Sequence, residues 1–453
     1  MAGSNARMNR REFLEVTAGA GLAAATLAVP GLTLADAAAK RPNIIYVFAD
    51  QHRAASVGCY GDTQVRTPHM DALAKQGLRL TSAISNTPVC CPYRASLMSG
   101  LNCPHNRVMR NGLVGRFDHK RDPVLGRTFA KAGYACAYIG KWHLGDVSID
   151  PGDPRRLGFD DYWAANVSEH NYYKWTYHTG KGQAVKGEGF YRPQMETDLA
   201  MQWLRRRPKD KPFCLFVSWG PPHTPWRAPR EYAAHYTKMT LRKNVPQDKA
   251  RSVLRNHIQY NGLIEGLDVQ LGRLLAELDK LGLTKDTIIV YTADHGEMMG
   301  SHGWYKKRRP HRESLEVPFI VRWPGRVKAG TTSDAILSAH DVFPTLAGLA
   351  GLKVPAGLDG QDASGILLGR ADARQREHDY ITLISDRAYV PTWKGVRTPR
   401  YTYARSKDGP WVLFDRREDP YETTNLVKTA PKVAKELEDL TAQYMRRYGD
   451  TTW

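Results

Sequence analysis

Asn43-Ile44-Ile45-Tyr46-Val47-Phe48-Ala49 runs without polar interruption after its first residue and is followed at once by Asp50 and Gln51. Unbroken apolar character with no alternation is the mark of a strand buried on both faces, as in a parallel sheet covered by helices on each side. Similar runs recur at Ala135–Gly140, Pro212–Trp219, Asp286–Thr292 and Pro318–Arg322. Between them lie stretches with helical spacing at Thr67–Gln76, Thr128–Ala132, Thr197–Arg206 and from about Arg251 to Leu281. In the last, Leu263, Leu267, Leu271, Leu274, Leu275 and Leu278 form one apolar stripe, which is core packing. The first four strands each end in polar residues suited to chemistry: Asp50 with Gln51, Lys141 with His143, His223, and Asp294 with His295. In open α/β sheets the ligand crevice lies beyond the carboxyl ends of the strands, so these distant segments are expected to converge.

The expected fold is therefore α/β, a large mixed, mostly parallel sheet between helices, with a smaller C-terminal α+β subdomain. From about Ala371 the texture changes to charged residues with Tyr401, Tyr403, Trp411 and the run Arg416–Leu426, RREDPYETTNL. A short antiparallel sheet and a final helix near Pro431–Arg447 are expected there. Three units follow: 1–37 as an export signal, 38–370 as the catalytic domain and 371–453 as the C-terminal subdomain. With 453 residues and 42% hydrophobic content, the chain is long enough for one large core and this smaller appendage. The stretch from Asp146 to Arg192 lacks clear periodicity but carries Trp163, Tyr172, Tyr173, Trp175, Tyr177 and Tyr191, and reads as an ordered aromatic rim.

Asn9-Arg10-Arg11-Glu12-Phe13-Leu14 resembles a twin-arginine export signal. A weakly apolar Ala/Gly-rich stretch follows from Val16 to Leu34, and Ala35-Asp36-Ala37 suits cleavage. Glycines and Pro30 interrupt that stretch, which argues against an uncleaved anchor. An exported periplasmic or extracellular product with no stable membrane anchor is expected. The formal charge of +19 fixes the sign of a partner as anionic, and nucleic acid, anionic lipid and sulfated glycan all satisfy it. Export and the lack of a recognised module exclude nucleic acid. Of the six cysteines (59, 90, 91, 103, 136 and 214), Cys136 and Cys214 sit in apolar strands and read as buried free thiols. Zinc-type Cys/His spacing is absent.

The run Cys90-Cys91-Pro92-Tyr93-Arg94-Ala95-Ser96-Leu97-Met98-Ser99-Gly100 carries a C-x-P-x-R signature. Gly140-Lys141-Trp142-His143-Leu144-Gly145, Pro222-His223-Thr224-Pro225, Asp294-His295 and the Glu313–Pro318 segment follow in order. Singly each has a bland reading: an Asp-His pair as a turn, a proline-flanked His as a surface loop, Lys306 to Arg309 as solvated charge. Together, and from Arg41-Pro42-Asn43 to the DPYETTNL segment, the chain resembles the formylglycine-dependent type I sulfatases of the alkaline phosphatase-like superfamily.

That resemblance implies a mechanism. Cys90, oxidised by a formylglycine-generating maturation enzyme that reads Pro92 and Arg94, would hydrate to a geminal diol. One hydroxyl attacks sulfur, and loss of the proton from the other regenerates the aldehyde and expels sulfate. Arg94 would hold the diol, and Asp50, Gln51, Asp294, His295 and the modified Cys90 would bind one divalent cation. The oxygen-rich ligand set suits Ca2+, with Mn2+ or Mg2+ as rivals because His295 joins it. His143 would take the diol proton, Lys141 would neutralise a sulfate oxygen, and His223 would bind sulfate and protonate the leaving alcohol. A further lysine falls at Lys307 by counting from both flanking anchors, with Lys306 as the neighbouring register. His105, His170, His302 and His340 read as structural, His170 and His302 being candidates for rim contacts.

The chain departs from common family patterns at Gln51, Tyr93, Pro310 and His311. The last two put the substrate rim in question. The expected activity is hydrolysis of a sulfate monoester on a sulfated carbohydrate. An arylsulfatase acting on small aryl sulfates is one alternative. A formylglycine-dependent phosphonate monoester or phosphodiester hydrolase is another, favoured by Gln51 and His295. A non-catalytic polyanion-binding protein explains the charge alone.

Overall fold

The computed structural model describes residues 41–180 and 183–453, so the expected export signal at 1–37 lies outside the described residues. Ten strands form the main sheet: β1 (Asn43–Asp50), β2 (Leu78–Ile84), β3 (Ala135–Lys141), β4 (Tyr162–Asn166), β5 (Lys174–Thr179), β6 (Gln183–Glu188), β7 (Phe213–Pro222), β8 (Thr287–Ala293), β9 (Phe319–Arg322) and β10 (Thr331–Ser338). Their order across the sheet is β10-β2-β9-β8-β1-β7-β3-β4-β5-β6. β1 is central and buried throughout, as its unbroken apolar run requires. It pairs in parallel with β7 and β8, β3 continues the parallel set, and β9 runs antiparallel between β2 and β8. The sheet is thus mixed and mostly parallel, as expected.

Because β8, β1, β7 and β3 point the same way, Asp294, Asp50, His223 and Lys141 emerge at one end of the sheet. Close approach there demands Gly140, whose φ is +111° and where a Cβ would lie 2.0 Å from the Ser218 carbonyl oxygen of β7. The helix Ala250–Lys280 covers one face of the sheet, and Leu263, Leu267, Leu271, Leu274 and Leu278 are all buried.

The described part of the segment Asp146–Arg192 is ordered, but it is not the aromatic rim expected of it. It supplies β4, β5 and β6, which extend the sheet edge, β5 and β6 as an antiparallel pair. Trp163, Tyr172, Trp175 and Tyr177 are at most 2% exposed, so their faces are used in packing and are not offered to a ligand. Aromatic enrichment reports burial as readily as it reports stacking surface, and here burial accounts for it.

A second sheet is antiparallel: β11 (Asp379–Leu383), β12 (Trp393–Arg397), β13 (Tyr401–Ser406) and β14 (Gly409–Asp415). One face packs on the helix Pro431–Arg447 through Tyr380, Val396, Tyr403, Leu413, Leu437 and Tyr444. The other meets Ile84, Val89, Leu315 and Ile336 of the main domain through Ile381, Leu383, Trp393 and Phe414. All six cysteines are free, and Cys136 faces Cys214 across β3 and β7. Among the described residues no helix is long and apolar enough to cross a membrane.

Candidate active site

Cys90 is the first residue of the helix Cys90–Ser99, and its Sγ lies at the end of the sheet where the strand termini converge. Three groups surround it: His295 Nε2 at 3.3 Å, Lys307 Nζ at 3.5 Å and Asp50 Oδ1 at 3.7 Å. Burial and the Asp50 carboxylate push the thiol up, but Lys141, Lys307 and His295 outweigh them and bring it down to about 5. The position is therefore built to hold negative charge on the side-chain atom of residue 90.

Asp50, Cys90, Asp294 and His295 each present a ligand atom, all within 4.8 Å of one another and all buried. That span is twice a metal–oxygen distance of about 2.4 Å, so the cluster fits a single ion. Its chemistry fits too. His295 Nδ1 donates to the Gly296 carbonyl at 3.0 Å, which leaves the Nε2 lone pair aimed at the cluster. Gln51 sits at φ +68° with its N–H on Asp294 Oδ1 at 3.0 Å, and its Oε1 accepts from Lys307 Nζ at 2.8 Å.

Cations on the opposite side balance the carboxylates. Lys141 Nζ pairs with Asp50 Oδ2, both fully buried. Although burial opposes it, Asp50 and the Cys90 group keep this ammonium charged. Arg94, one helical turn after Cys90, donates to Asp294 Oδ2 at 3.1 Å, Ser218 Oγ at 2.8 Å and the Lys141 carbonyl at 2.6 Å. Arg94 thus clamps the ends of β3, β7 and β8 together and makes no hydrogen bond to the Cys90 sulfur, while its Nε is buried without a partner. Tyr93 is buried and points into the core, where its hydroxyl meets that of Tyr46 at 3.1 Å.

Two partly exposed histidines lie within electrostatic reach of Asp50, Lys141 and Lys307. His143 lies at φ +57° with Nδ1 unpartnered, and burial, aided by Lys141 and Arg94, holds its pKa well below the usual imidazole value. His223 Nδ1 donates to the Thr224 carbonyl at 2.6 Å, and burial with nearby Lys307 depresses it as well. Both are accordingly neutral near pH 7.

Three features escaped the sequence reading. His170, read as structural with a candidate rim contact, stacks flat on His223, ring centroids 3.7 Å apart and 11° between planes. Glu297 is fully buried and accepts from Gln51 Nε2. The third is the role of the C-terminal sheet, which grips the basic loop: Trp393 Nε1 donates to the Arg308 carbonyl at 2.9 Å, and Arg308 pairs with Asp386 at 3.0 Å. Lys307, Arg308 and Arg309 are at most 5% exposed, whereas the Lys306 side chain is exposed, so the run is not a solvated loop. His311 also differs from its expected place at the substrate rim. It is buried between the rings of His302 and Phe414, and burial lowers it to about 3. His105 pairs with Asp359, and buried His340 lies 3.8 Å from both Asp341 and Asp379, as structural residues would.

Residues 42–352 match the family model described as Sulfatase, and residues 300–447 match that of the N-sulphoglucosamine sulphohydrolase C-terminal region. An ulvan-active sulfatase of Formosa agariphila is 37% identical, with the match covering 85% of this chain and 77% of that protein. An N-acetylglucosamine-6-O-sulfatase of Bacteroides thetaiotaomicron is 28% identical over 91% of this chain and 87% of its own. A solved structure in complex with its substrate D-glucosamine-2-N,6-O-disulfate superposes with a TM-score of 0.82 at 26% identity, covering 91% of this chain and 99% of the other. Fold and these likenesses agree: the chain belongs to the sulfatase family, a sulfuric ester hydrolase of alkaline phosphatase-like fold.

Proposed function

We propose that the protein hydrolyses a sulfate monoester on a sulfated carbohydrate, with Cys90 matured to formylglycine and one divalent cation held by Asp50, Gln51, Asp294 and His295. The observation that carries this reading is the convergence of Lys141, Lys307, His143 and His223 on the Cys90 end of the sheet. The carbohydrate is supported by relatives named for ulvan and for N-acetylglucosamine sulfate. Ca2+ is the proposed ion because oxygen donors dominate the set, with Mn2+ and Mg2+ as rivals.

When bound, the cation would lower the pKa of the residue 90 oxygen and polarise the sulfate group. Formylglycine would supply two geminal hydroxyls, one to attack and one to lose its proton. Lys141 and Lys307 would hold sulfate oxygens and favour the charge that develops there. His143, kept neutral by burial, is fit to accept the second hydroxyl's proton. His223 must be protonated to act as an acid, and the negative charge of a bound sulfate ester would oppose its depression by Lys307. Export through the twin-arginine signal and dependence on a maturation enzyme belong to the same proposal.

The Gln51 and His295 pair also favours a second reading, hydrolysis of phosphonate monoesters or phosphodiesters. Aryl sulfates are the third candidate class. The test is kcat/KM on sulfated oligosaccharides, an aryl sulfate and a matched phosphodiester, using protein whose Cys90 conversion has been verified. Highest efficiency on a sulfated oligosaccharide is expected. Turnover confined to the aryl sulfate defeats the glycan reading, and a phosphodiester preference defeats the sulfatase assignment of substrate.

A further inference from the structure

Glu297 lies three residues beyond Asp294 and has no hydrogen bond to Asp50, Cys90, Asp294 or His295, yet three donors converge on its carboxylate. Gln51 Nε2 donates to Oε2, while the backbone N–H groups of Met299 and Lys306 donate to Oε1 at 2.9 and 2.6 Å. The far end of the Gln51 amide, Oε1, receives Lys307 Nζ at 2.8 Å. The Gln51 backbone is locked on both sides, its N–H on Asp294 and its carbonyl accepting from Tyr260 Oη at 2.9 Å. What remains free is a half-turn of the amide, which exchanges an oxygen for an NH2 at the cation cluster. A carboxylate only accepts hydrogen bonds, so it forces Nε2 toward itself and Oε1 toward the cluster.

We propose that Glu297 is the positioning residue that decides which end of the Gln51 amide faces the cation, and that the two side chains act as an exchangeable donor–acceptor pair. The same carboxylate closes the loop that returns Lys307 to the site, since it holds Lys306 N–H, and Met298 N–H bonds the Lys306 carbonyl at 2.7 Å. The inference rests on the reading of Gln51 as a cation ligand.

The exchange gives a test. In E297Q the introduced amide must still accept from Met299 and Lys306, so its oxygen stays where Oε1 was and its NH2 faces Gln51. Gln51 must then turn its oxygen toward residue 297 and present NH2 to the ion, which repels it. In Q51E/E297Q the amide at 297 donates to a carboxylate at 51, whose second oxygen again faces the ion. Ca2+ would be titrated calorimetrically into chelator-stripped protein, with thermal unfolding in chelator reporting the fold. Q51A and E297Q should each weaken binding about 10- to 100-fold, and Q51E/E297Q should restore it to wild type or tighter. Unchanged affinity in Q51A would show that Gln51 is no ligand and remove the underlying reading. Weakened Q51A beside an unchanged E297Q would overturn the inference while leaving that reading intact. Should E297Q fold poorly, the double variant decides: restored binding supports the pair, and a double variant that binds weakly or does not fold overturns it.

Discussion

Replacing Lys307 by alanine removes a buried ammonium 3.5 Å from the Cys90 sulfur, the atom that marks where the reacting oxygen would sit. At an effective dielectric of about 20, a unit charge at that distance interacts by about 5 kcal/mol. Lys141 and the bound cation share the same task, so a loss of about 3–4 kcal/mol of transition-state stabilisation is the reasonable figure, a 10²- to 10³-fold fall in kcat/KM at about 1.4 kcal/mol per decade. Lys306, one residue away, has an exposed side chain and touches Glu297 only through its backbone N–H. Lys306→Ala should therefore change kcat/KM by less than about threefold, as surface substitutions do. The assay is initial-rate kinetics on the best sulfated substrate, with Cys90 conversion measured in each variant so that maturation is held constant. Comparable losses in both variants, or a loss below about fivefold in Lys307→Ala, would refute the argument that this ammonium neutralises charge at the reacting centre.

The peptide spanning Cys90 should weigh about 18 Da less than its thiol form, and Cys90→Ala should lose turnover while its thermal unfolding stays close to wild type; an unaltered thiol in fully active protein defeats the nucleophile assignment. His170→Ala should lower kcat/KM by about 2- to 12-fold, the equivalent of an aromatic contact of 0.5–1.5 kcal/mol, and His170→Phe should recover most of it because the flat stack on His223 survives. A recovery absent in the phenylalanine variant would mean His170 acts through its nitrogens. Trp393→Phe strands the Arg308 carbonyl and should cost about 1–3 kcal/mol in urea denaturation, with kcat falling more than KM rises as Lys307 loses its support. Unchanged kcat would separate the C-terminal sheet from the site.

The strands of the central sheet were legible because burial on both faces writes itself into composition. A run such as Ile44–Ala49 has few other structural uses, and the polar residue at its end stands out against it. The strands β4, β5 and β6 were not legible: β5 and β6 alternate between buried and exposed residues and lack that unbroken character, β4 is only five residues long, and the aromatic residues of β4 and β5 admit both a packing and a ligand-stacking interpretation. The residues around Cys90 were legible as motifs, yet the partners that hold them were not. Glu297 and Gln51 are 246 positions apart, and Trp393 and Arg308 are 85 apart. No local pattern links such pairs.

Lys306 and Lys307 show the division most sharply. Both have the same side chain, so chemistry and spacing alone leave two registers open. The backbone separates them: Lys306 at φ +68° and Arg308 at φ +80° are in left-handed conformations that send the lysine between them inward. Composition and order of residues thus determined the sheet, the convergence of its strand ends and the set of reactive side chains. Only the tertiary structure decided their orientation, because orientation comes from hydrogen bonds and packing contributed by distant segments, the C-terminal sheet foremost.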